Sequence, residues 1–218
     1  MGLYVFDAYG TLFDVHVAAE REKTAIGPVW QELSRTWRTK HIEYSWHASL
    51  AGRRATFWSL AERSLDYAIA SVGGGVSLDV RGKLLAAYRT MDAYPEVRDV
   101  LSALKARGDK LAILSNGDPD MLVDAVQAAR LEGVFDDVLS VEAAGIFKPS
   151  MKVYQLVIDR FGGTPAGVSF QSSNRWDIAG AKAFGFTCAW INRTGVLDEY
   201  LDLAPDRVLP DLRSLLDP

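Results

Sequence analysis

The sequence predicts an α/β fold built on a parallel sheet, and two observations carry that prediction. Short β-rich segments alternate with helix-length segments along most of the chain, and one long stretch replaces the alternation with helical patterns alone. The strand segments are Leu3 to Phe6, Lys110 to Asn116, Asp136 to Val141, Gly167 to Asn174 and Thr187 to Asn192. Strands joined through helices of roughly ten to fifteen residues pair in parallel, because only a crossover of that length returns the chain to the same edge. Right-handed crossovers put helices on both faces. The expected core is a Rossmann-like parallel sheet with an inserted, mainly α-helical cap domain.

Taken in order, the apolar run LYVF ends on Asp7 and the chain turns through Ala8-Tyr9-Gly10-Thr11. Pro95 to Arg107 reads as a helix with proline at its start and Gly108 as its stop. Asp118 to Arg130 follows Gly-Asp-Pro, Pro149 to Phe161 opens with proline and ends at Gly162-Gly163, and Ile178 to Phe184 stops at Gly185. Between about Val15 and Met91 the pattern changes. Val29 to Leu50 and Thr56 to Ser71 are long and amphipathic, no strand is convincing, and Gly73-Gly74-Gly75 makes a flexible connection. Residues 15–91 are therefore expected to form the cap, and residues 1–14 with 92–218 the catalytic core. A lid over the carboxyl edge of a parallel sheet covers the crevice where such sheets bind ligands.

Composition narrows the function classes. The chain has 218 residues, a net charge of −4 and 49% hydrophobic residues, enough for a sizeable core. Mild acidity gives no reason to expect nucleic acid or an anionic membrane. No apolar run approaches the roughly 20 residues of a membrane span, and no secretory leader is legible. Met1-Gly2 lacks the Ser or Thr of a myristoylation signal, since Phe6 stands at the sixth position. Cys188 is the only cysteine, so neither an internal disulfide nor a thiolate cluster can form. A cytoplasmic location is expected. His16, His41 and His47 all fall in the insertion without metal-binding spacing, and no metal is expected.

Four short segments stand at strand ends or helix starts: Asp7 to Thr11, Ser115-Asn116, Lys148-Pro149 and Ser172 to Asp177. In an open α/β sheet such ends converge on one crevice. Each residue also has an ordinary reading. Asp7 suits a turn, Ser115-Asn116-Gly117-Asp118 suits a turn with a helix cap, and Asp177 suits a cap for the helix at Ile178. Ser172 and Asn174 suit backbone satisfaction at a strand end. Arg38 suits a surface ion pair, Lys148 a solvated helix start, and Phe57, Trp176 and Tyr154 simple packing. Arg175 has no account at this level.

The residues FDAYGTLFDV, WRTKHIEYSW from Trp37, ILSNG, KPSMKVY from Lys148, SSNRWDIAGAKAFGF and WINR resemble the haloacid dehalogenase superfamily and, within it, the L-2-haloacid dehalogenases. The likeness runs through nearly the whole chain in consistent order. Phosphatases of that superfamily keep a second Asp two residues after the nucleophile and an acid in the last motif to hold magnesium. Here those places are Tyr9 and the Ser172-Ser173-Asn174 run, which removes a metal carboxylate. Halide leaves as a stable anion and needs neither the acid nor the metal.

The resemblance implies a metal-independent and cofactor-free hydrolytic dehalogenase acting on short L-2-haloalkanoates. Asp7 is then the nucleophile, forming an ester that water cleaves to a D-2-hydroxy acid. Thr11 supports the Asp7 turn; Lys148, Ser172, Asn174 and Asp177 position and activate the water. Arg38 and Asn116 receive the halide. Ser115 and the backbone N–H groups following Asp7, Ala8 among them, bind the substrate carboxylate. Tyr9, Ile42, Phe57 and Trp176 wall the alkyl group, and Tyr154 orients the site. The resemblance also implies a homodimer. Two other readings stay open here, a phosphatase of the same superfamily and a non-catalytic binding protein.

Overall fold

Why the strands order as they do follows from where the chain leaves and rejoins the sheet. The computed structural model describes residues 2–217. Six strands are found among them: β1 (Leu3–Phe6), β2 (Lys110–Ser115), β3 (Asp137–Ser140), β4 (Val168–Ser172), β5 (Thr187–Ile191) and β6 (Arg207–Leu209). Their spatial order is β3-β2-β1-β4-β5-β6, all parallel. The chain steps outward from β1 through β2 to β3, then crosses back to β4 on the other side of β1. The crevice of such a sheet lies at that reversal, between the carboxyl ends of β1 and β4. Register sets Phe6 opposite both Ile113 and Gln171, so Asp7, Ser115 and Ser172 emerge at one edge.

Nine α-helices are found among the described residues. The insertion carries α1 (Val17–Arg21), α2 (Lys23–Ile26), α3 (Trp30–Leu50), α4 (Phe57–Ser71) and α5 (Leu78–Arg89). The sheet carries α6 (Val97–Ala106), α7 (Pro119–Ala128), α8 (Met151–Phe161) and α9 (Arg175–Phe184). In α4 the buried residues are Phe57, Leu60, Ala61, Ser64, Leu65 and Ala68, one stripe at helical spacing. That stripe meets α3, where the indole of Trp37 donates to Ala61 O at 2.9 Å. Thr56 caps α4 by accepting from Ser59 N–H at 3.1 Å, and Ser77 caps α5 through Val80 N–H at 3.2 Å. The chain enters and leaves this helical segment side by side: Asp14 N–H donates to Asp92 O and Tyr94 N–H to Leu12 O, both at 3.0 Å.

Several expected boundaries move. Pro95 and Pro149 precede their helices: α6 begins at Val97, and after the cis Lys148-Pro149 peptide bond Ser150 holds the N-cap position of α8. The last helix begins three residues earlier than expected, at Arg175, so Asp177 lies inside its first turn and Asn174 takes the N-cap position. The strand β6 was not expected. It has three residues, begins on an exposed arginine and forms the sheet edge, so it lacks the apolar run that marks the others.

Candidate active site

The site grows from the end of β1. Its backbone continues the sheet for one more residue, as Asp7 N–H donates to Gln171 O at 2.9 Å. The turn then closes on Ala8, whose carbonyl accepts from the N–H groups of Thr11, Leu12 and Phe13. Gly10 sits in the turn at φ +92°, a conformation that favours glycine. Among the described residues no acceptor is found for the Ala8 and Tyr9 N–H groups.

This turn presents a buried carboxylate surrounded by donors. Lys148 Nζ stands 3.1 Å from Asp7 Oδ1. On Oδ2, Asn174 Nδ2 donates at 2.8 Å, Thr11 Oγ1 at 3.1 Å and Ser172 Oγ at 3.4 Å. Lys148 also reaches Asp177 Oδ2 at 2.8 Å, so one ammonium bridges two carboxylates. Tyr154 OH donates to Asp177 Oδ1 at 2.8 Å from the other side. Burial alone opposes the charge on Lys148; Asp177 and Asp7 outweigh it and hold its pKa above the usual lysine value. Burial pushes Asp177 up to about 6, with Asp7 adding to the rise and Lys148 opposing it. A divalent ion would need several oxygen ligands at this spot. Instead the two carboxylates are joined by an ammonium, and Asp7 Oδ2 faces an amide N–H; this donor set does not fit a metal.

The insertion supplies the opposite wall. Arg38, on α3, donates from Nη2 to Tyr9 O at 3.1 Å and to Asn174 Oδ1 at 3.2 Å. Its expected alternative, a surface ion pair, is not what the structure contains. Three buried donors in this region have no partner among the described residues: Arg38 Nη1, Asn116 Nδ2 and Tyr9 OH. Asn116 is oriented by Lys148 N–H, which donates to its Oδ1 at 2.9 Å. Ser115 Oγ accepts from Gly117 N–H at 3.1 Å, which leaves its own proton to donate. Ile42 lies one turn beyond Arg38 and is buried. Phe57, at the start of α4, packs 5.7 Å from the Tyr9 ring and 6.0 Å from Phe147. Trp176 is half-buried and meets Trp46 of α3 edge-on at 5.4 Å. Beside the site a cavity of about 1070 Å³ runs along the seam between residues 49–59 and the loops at 118–120 and 141–147.

A haloacid dehalogenase-like hydrolase family model matches residues 1–185, the span that holds Asp7, Lys148 and Asp177. The chain belongs to this family. The hydrolase is 46% identical over 203 residues to (S)-2-haloacid dehalogenase 1 of Pseudomonas sp. (strain CBS-3), covering 93% of this chain and 89% of that protein. It superposes on a crystal structure of a dehalogenase with an intermediate complex at a TM-score of 0.96, with 38% identity over 99% of this chain and 95% of that one. A second structure, the L-2-haloacid dehalogenase of Xanthobacter autotrophicus with chloropropionic acid covalently bound, matches at a TM-score of 0.87 and 36% identity, covering 99% and 96%.

Around the expected residues the hydrolase places others that sequence reasoning passed over. Ser173 Oγ donates to Gly10 O, and its N–H donates to Thr11 Oγ1 at 2.8 Å, so it ties the turn after Asp7 to β4. Arg193 reinforces the same turn: it donates to Thr11 O at 3.0 Å, pairs with buried Glu96 at 2.6 Å and lies over the Tyr94 ring. Asp118 does not cap its own helix. Its carboxylate accepts from Phe57 N–H at 2.9 Å and Trp58 N–H at 2.8 Å, capping α4 of the insertion from the sheet. Arg175 now has an account: buried, it pairs with Asp198 at 2.6 Å and donates to the carbonyls of Tyr200 and Leu203, anchoring the loop after β5. Ser173 and Arg193 stand in quoted motifs, SSNRW and WINR, but neither motif shows what they hold, and the partners of Asp118 and Arg193 lie far away in sequence.

Proposed function

We propose that this chain is an (S)-2-haloacid dehalogenase, a hydrolase of carbon–halide bonds that converts short L-2-haloalkanoic acids to D-2-hydroxy acids. The observation that carries the reading is Asp7: a buried carboxylate held on both oxygens, beside three buried donors that lack partners. Residues 15–91 act as the cap over it.

In the first step an Asp7 oxygen attacks C2 in line with the carbon–halogen bond. The carbon–oxygen bond of an ester forms, the carbon–halogen bond breaks with inversion, and halide departs with the bonding pair. Positioning by Lys148, Thr11, Ser172 and Asn174 replaces a search for the attack geometry. Arg38 Nη1 and Asn116 Nδ2 receive the halide, as fixed donors in a dry site act without reorganising. Ser115 and the N–H groups of Ala8 and Tyr9 bind the substrate carboxylate. Tyr9, Ile42, Phe57 and Trp176 enclose the alkyl group.

In the second step water attacks the carbonyl carbon of the ester. Asp177 takes its proton, steadied by Lys148 and Tyr154; the bond from the carbonyl carbon to the product oxygen then breaks, Asp177 returns the proton to that oxygen, and the Asp7 carboxyl sheds the remaining proton to solvent. Asp7 is regenerated. The Tyr9 hydroxyl, kept protonated because burial and its neighbours Tyr88 and Asp118 raise its pKa, offers a neutral donor and no second acid for a leaving alcohol.

Incubation with L- and D-2-chloropropionate in the presence of chelator tests the reading. Halide from the L form alone, with D-lactate as product, is expected; phosphatase activity in its place, restored by magnesium, overturns it. A single turnover in labelled water separates the mechanisms, because a second turnover, and not the first, should carry solvent oxygen into product. We extend the reading to a cytoplasmic homodimer. Exposed Leu50 and Leu78 in the insertion support association, and the buried lone Cys188 suits a reducing compartment; sedimentation measures the first. No helix among the described residues is long and apolar enough to cross a membrane.

A further inference from the structure

The proposed chemistry leaves one buried ion pair unused, and that pair stands where the insertion rejoins the sheet. Glu96 is buried and holds the N-cap position of α6. Arg193 follows β5 by two residues. Its backbone is fixed there, since Arg193 N–H donates to Ile191 O at 3.1 Å and Asn192 N–H to Leu209 O at 2.8 Å. Arg193 Nη1 stands 2.6 Å from Glu96 Oε1, and the guanidinium lies 3.8 Å from the centroid of the Tyr94 ring. Its Nη2 donates to Thr11 O at 3.0 Å. Thr11 is fully buried, and no other donor to its carbonyl is found among the described residues. The attraction between two buried charges is largely offset by their desolvation, so the pair is explained better by what it orients than by stability.

The grip reaches Asp7 through one side chain. Thr11 Oγ1 accepts from Ser173 N–H at 2.8 Å. Its single proton has two acceptors within reach, Asp7 Oδ2 at 3.1 Å and Ser173 Oγ at 3.0 Å. Ser173 Oγ gives its own proton to Gly10 O. Where the Thr11 backbone stands therefore decides whether the Thr11 proton holds the carboxylate or turns to Ser173. The same guanidinium touches both limbs at the root of the insertion. Thr11 lies on the outgoing limb, Tyr94 and Glu96 lie on the returning one, and Tyr94 N–H donates to Leu12 O at 3.0 Å between them.

We propose that Arg193 is a positioning residue for Asp7: paired with Glu96 and laid on Tyr94, it holds Thr11 O and so aims the Thr11 hydroxyl at Asp7 Oδ2. The proposal rests on the dehalogenase reading above. In that reading Arg193 does not meet the substrate. It therefore acts on the rate of ester formation and not on substrate binding.

The test is single-turnover halide release from L-2-chloropropionate with protein in saturating excess. The rate constant then reports competent sites only, and a thermal melt reports stability separately. Arg193→Lys keeps a charge for Glu96 but gives up the planar fork that also reaches Thr11 O. It should release halide about tenfold more slowly, the scale of one lost hydrogen bond, with little change in KM. In a Thr11→Val background, Arg193→Lys should add nothing to the rate loss. Arg193→Ala should be slowed at least as much, and millimolar guanidinium should restore its rate, because Glu96 and Tyr94 still offer a seat for a planar cation. Tetramethylammonium, which has no N–H to give Thr11 O, should not. A normal rate constant with a lowered melting temperature, additive losses in the Thr11→Val background, or two cations that act alike overturns the proposal and leaves the dehalogenase reading intact. Failure of the unmodified protein to release halide overturns that reading, and the proposal with it. If Arg193→Ala does not fold, Arg193→Lys, alone and with Thr11→Val, decides.

Discussion

Tyr154 and Asp177 are locked together twice: the phenol donates to Asp177 Oδ1 at 2.8 Å and also approaches its backbone carbonyl at 3.2 Å. A hydrogen bond to a carboxylate favours the charged form and so holds its pKa down. Tyr154 therefore opposes the burial that lifts Asp177 to about 6.

The first prediction follows from that opposition. Ester hydrolysis should rise with pH through about 6 as Asp177 ionises. Tyr154→Phe should move this limb to higher pH and lower its plateau; a limb that stays in place would show that another group sets it. Stability carries the opposite sign. The pKa of Asp177 is raised from 3.8 to about 6, so the folded state holds this proton more tightly than the unfolded chain. Its contribution to stability is complete below 3.8 and is lost as pH rises through about 6.

Because Asp7 is the proposed nucleophile, Asp7→Asn should cut halide release by about a thousandfold or more. The fold should survive, because asparagine keeps the side chain's shape. Removing the Asp7 charge also removes one cause of the raised Asp177 pKa, which should therefore fall. Titration of the carboxyl carbon of Asp177 by NMR in the variant measures that fall.

Two glycines should respond oppositely to alanine. A Cβ on Gly180 would lie 2.5 Å from Tyr154 OH and 2.6 Å from Pro149 Cβ. Gly180→Ala should cost about 1–3 kcal/mol by overpacking, and should displace Tyr154 from Asp177. Gly82, within α5, has nothing within 4 Å. There alanine should stabilise by about 0.5–1 kcal/mol, since it favours the helix. Thermal melts of the pair decide whether crowding or propensity governs each site.

Asp118→Ala should weaken the join between sheet and insertion. It leaves Phe57 and Trp58 N–H groups without their acceptor, a loss of about 1–2 kcal/mol for a helix cap. Phe57 is also the proposed wall of the substrate pocket, so KM should rise for the haloacid. Limited proteolysis between residues 51 and 57 should quicken; an unchanged digestion rate would mean that Arg89, paired with Asp120 and Asp124, holds the seam unaided.

How much of this was legible in the sequence depended on whether a residue's partner was local. Asp7, Ser115 and Ser172 follow from strand ends, since a parallel sheet collects such ends at one edge, and Lys148 from a helix start. The long helices of the insertion follow from their periodicity. What the periodicity could not say was which buried positions carried polar groups with distant partners: His41, noted only for lacking metal-binding spacing, and Tyr88, which drew no reading, meet across 47 residues of sequence. Asp118 looked like a cap for the helix that follows it, because Asp-Pro commonly starts one. The strand β6 was missed because three edge residues beginning with Arg207 bear no β-rich run. Lys-Pro resembles a helix start, which puts the expected start at Pro149, two residues before Met151, whereas Ser150 holds the N-cap position.

Asp118 also limits how this architecture can be recombined. The acid is encoded some sixty residues after the helix whose first amides it satisfies, in a loop owned by the sheet. A graft that moved residues 15–91 onto another scaffold would carry α4 away from its anion, and the new host would have to offer a carboxylate at the same spot. Lineages that traded this segment would therefore have to inherit the distant residue with it or evolve a substitute.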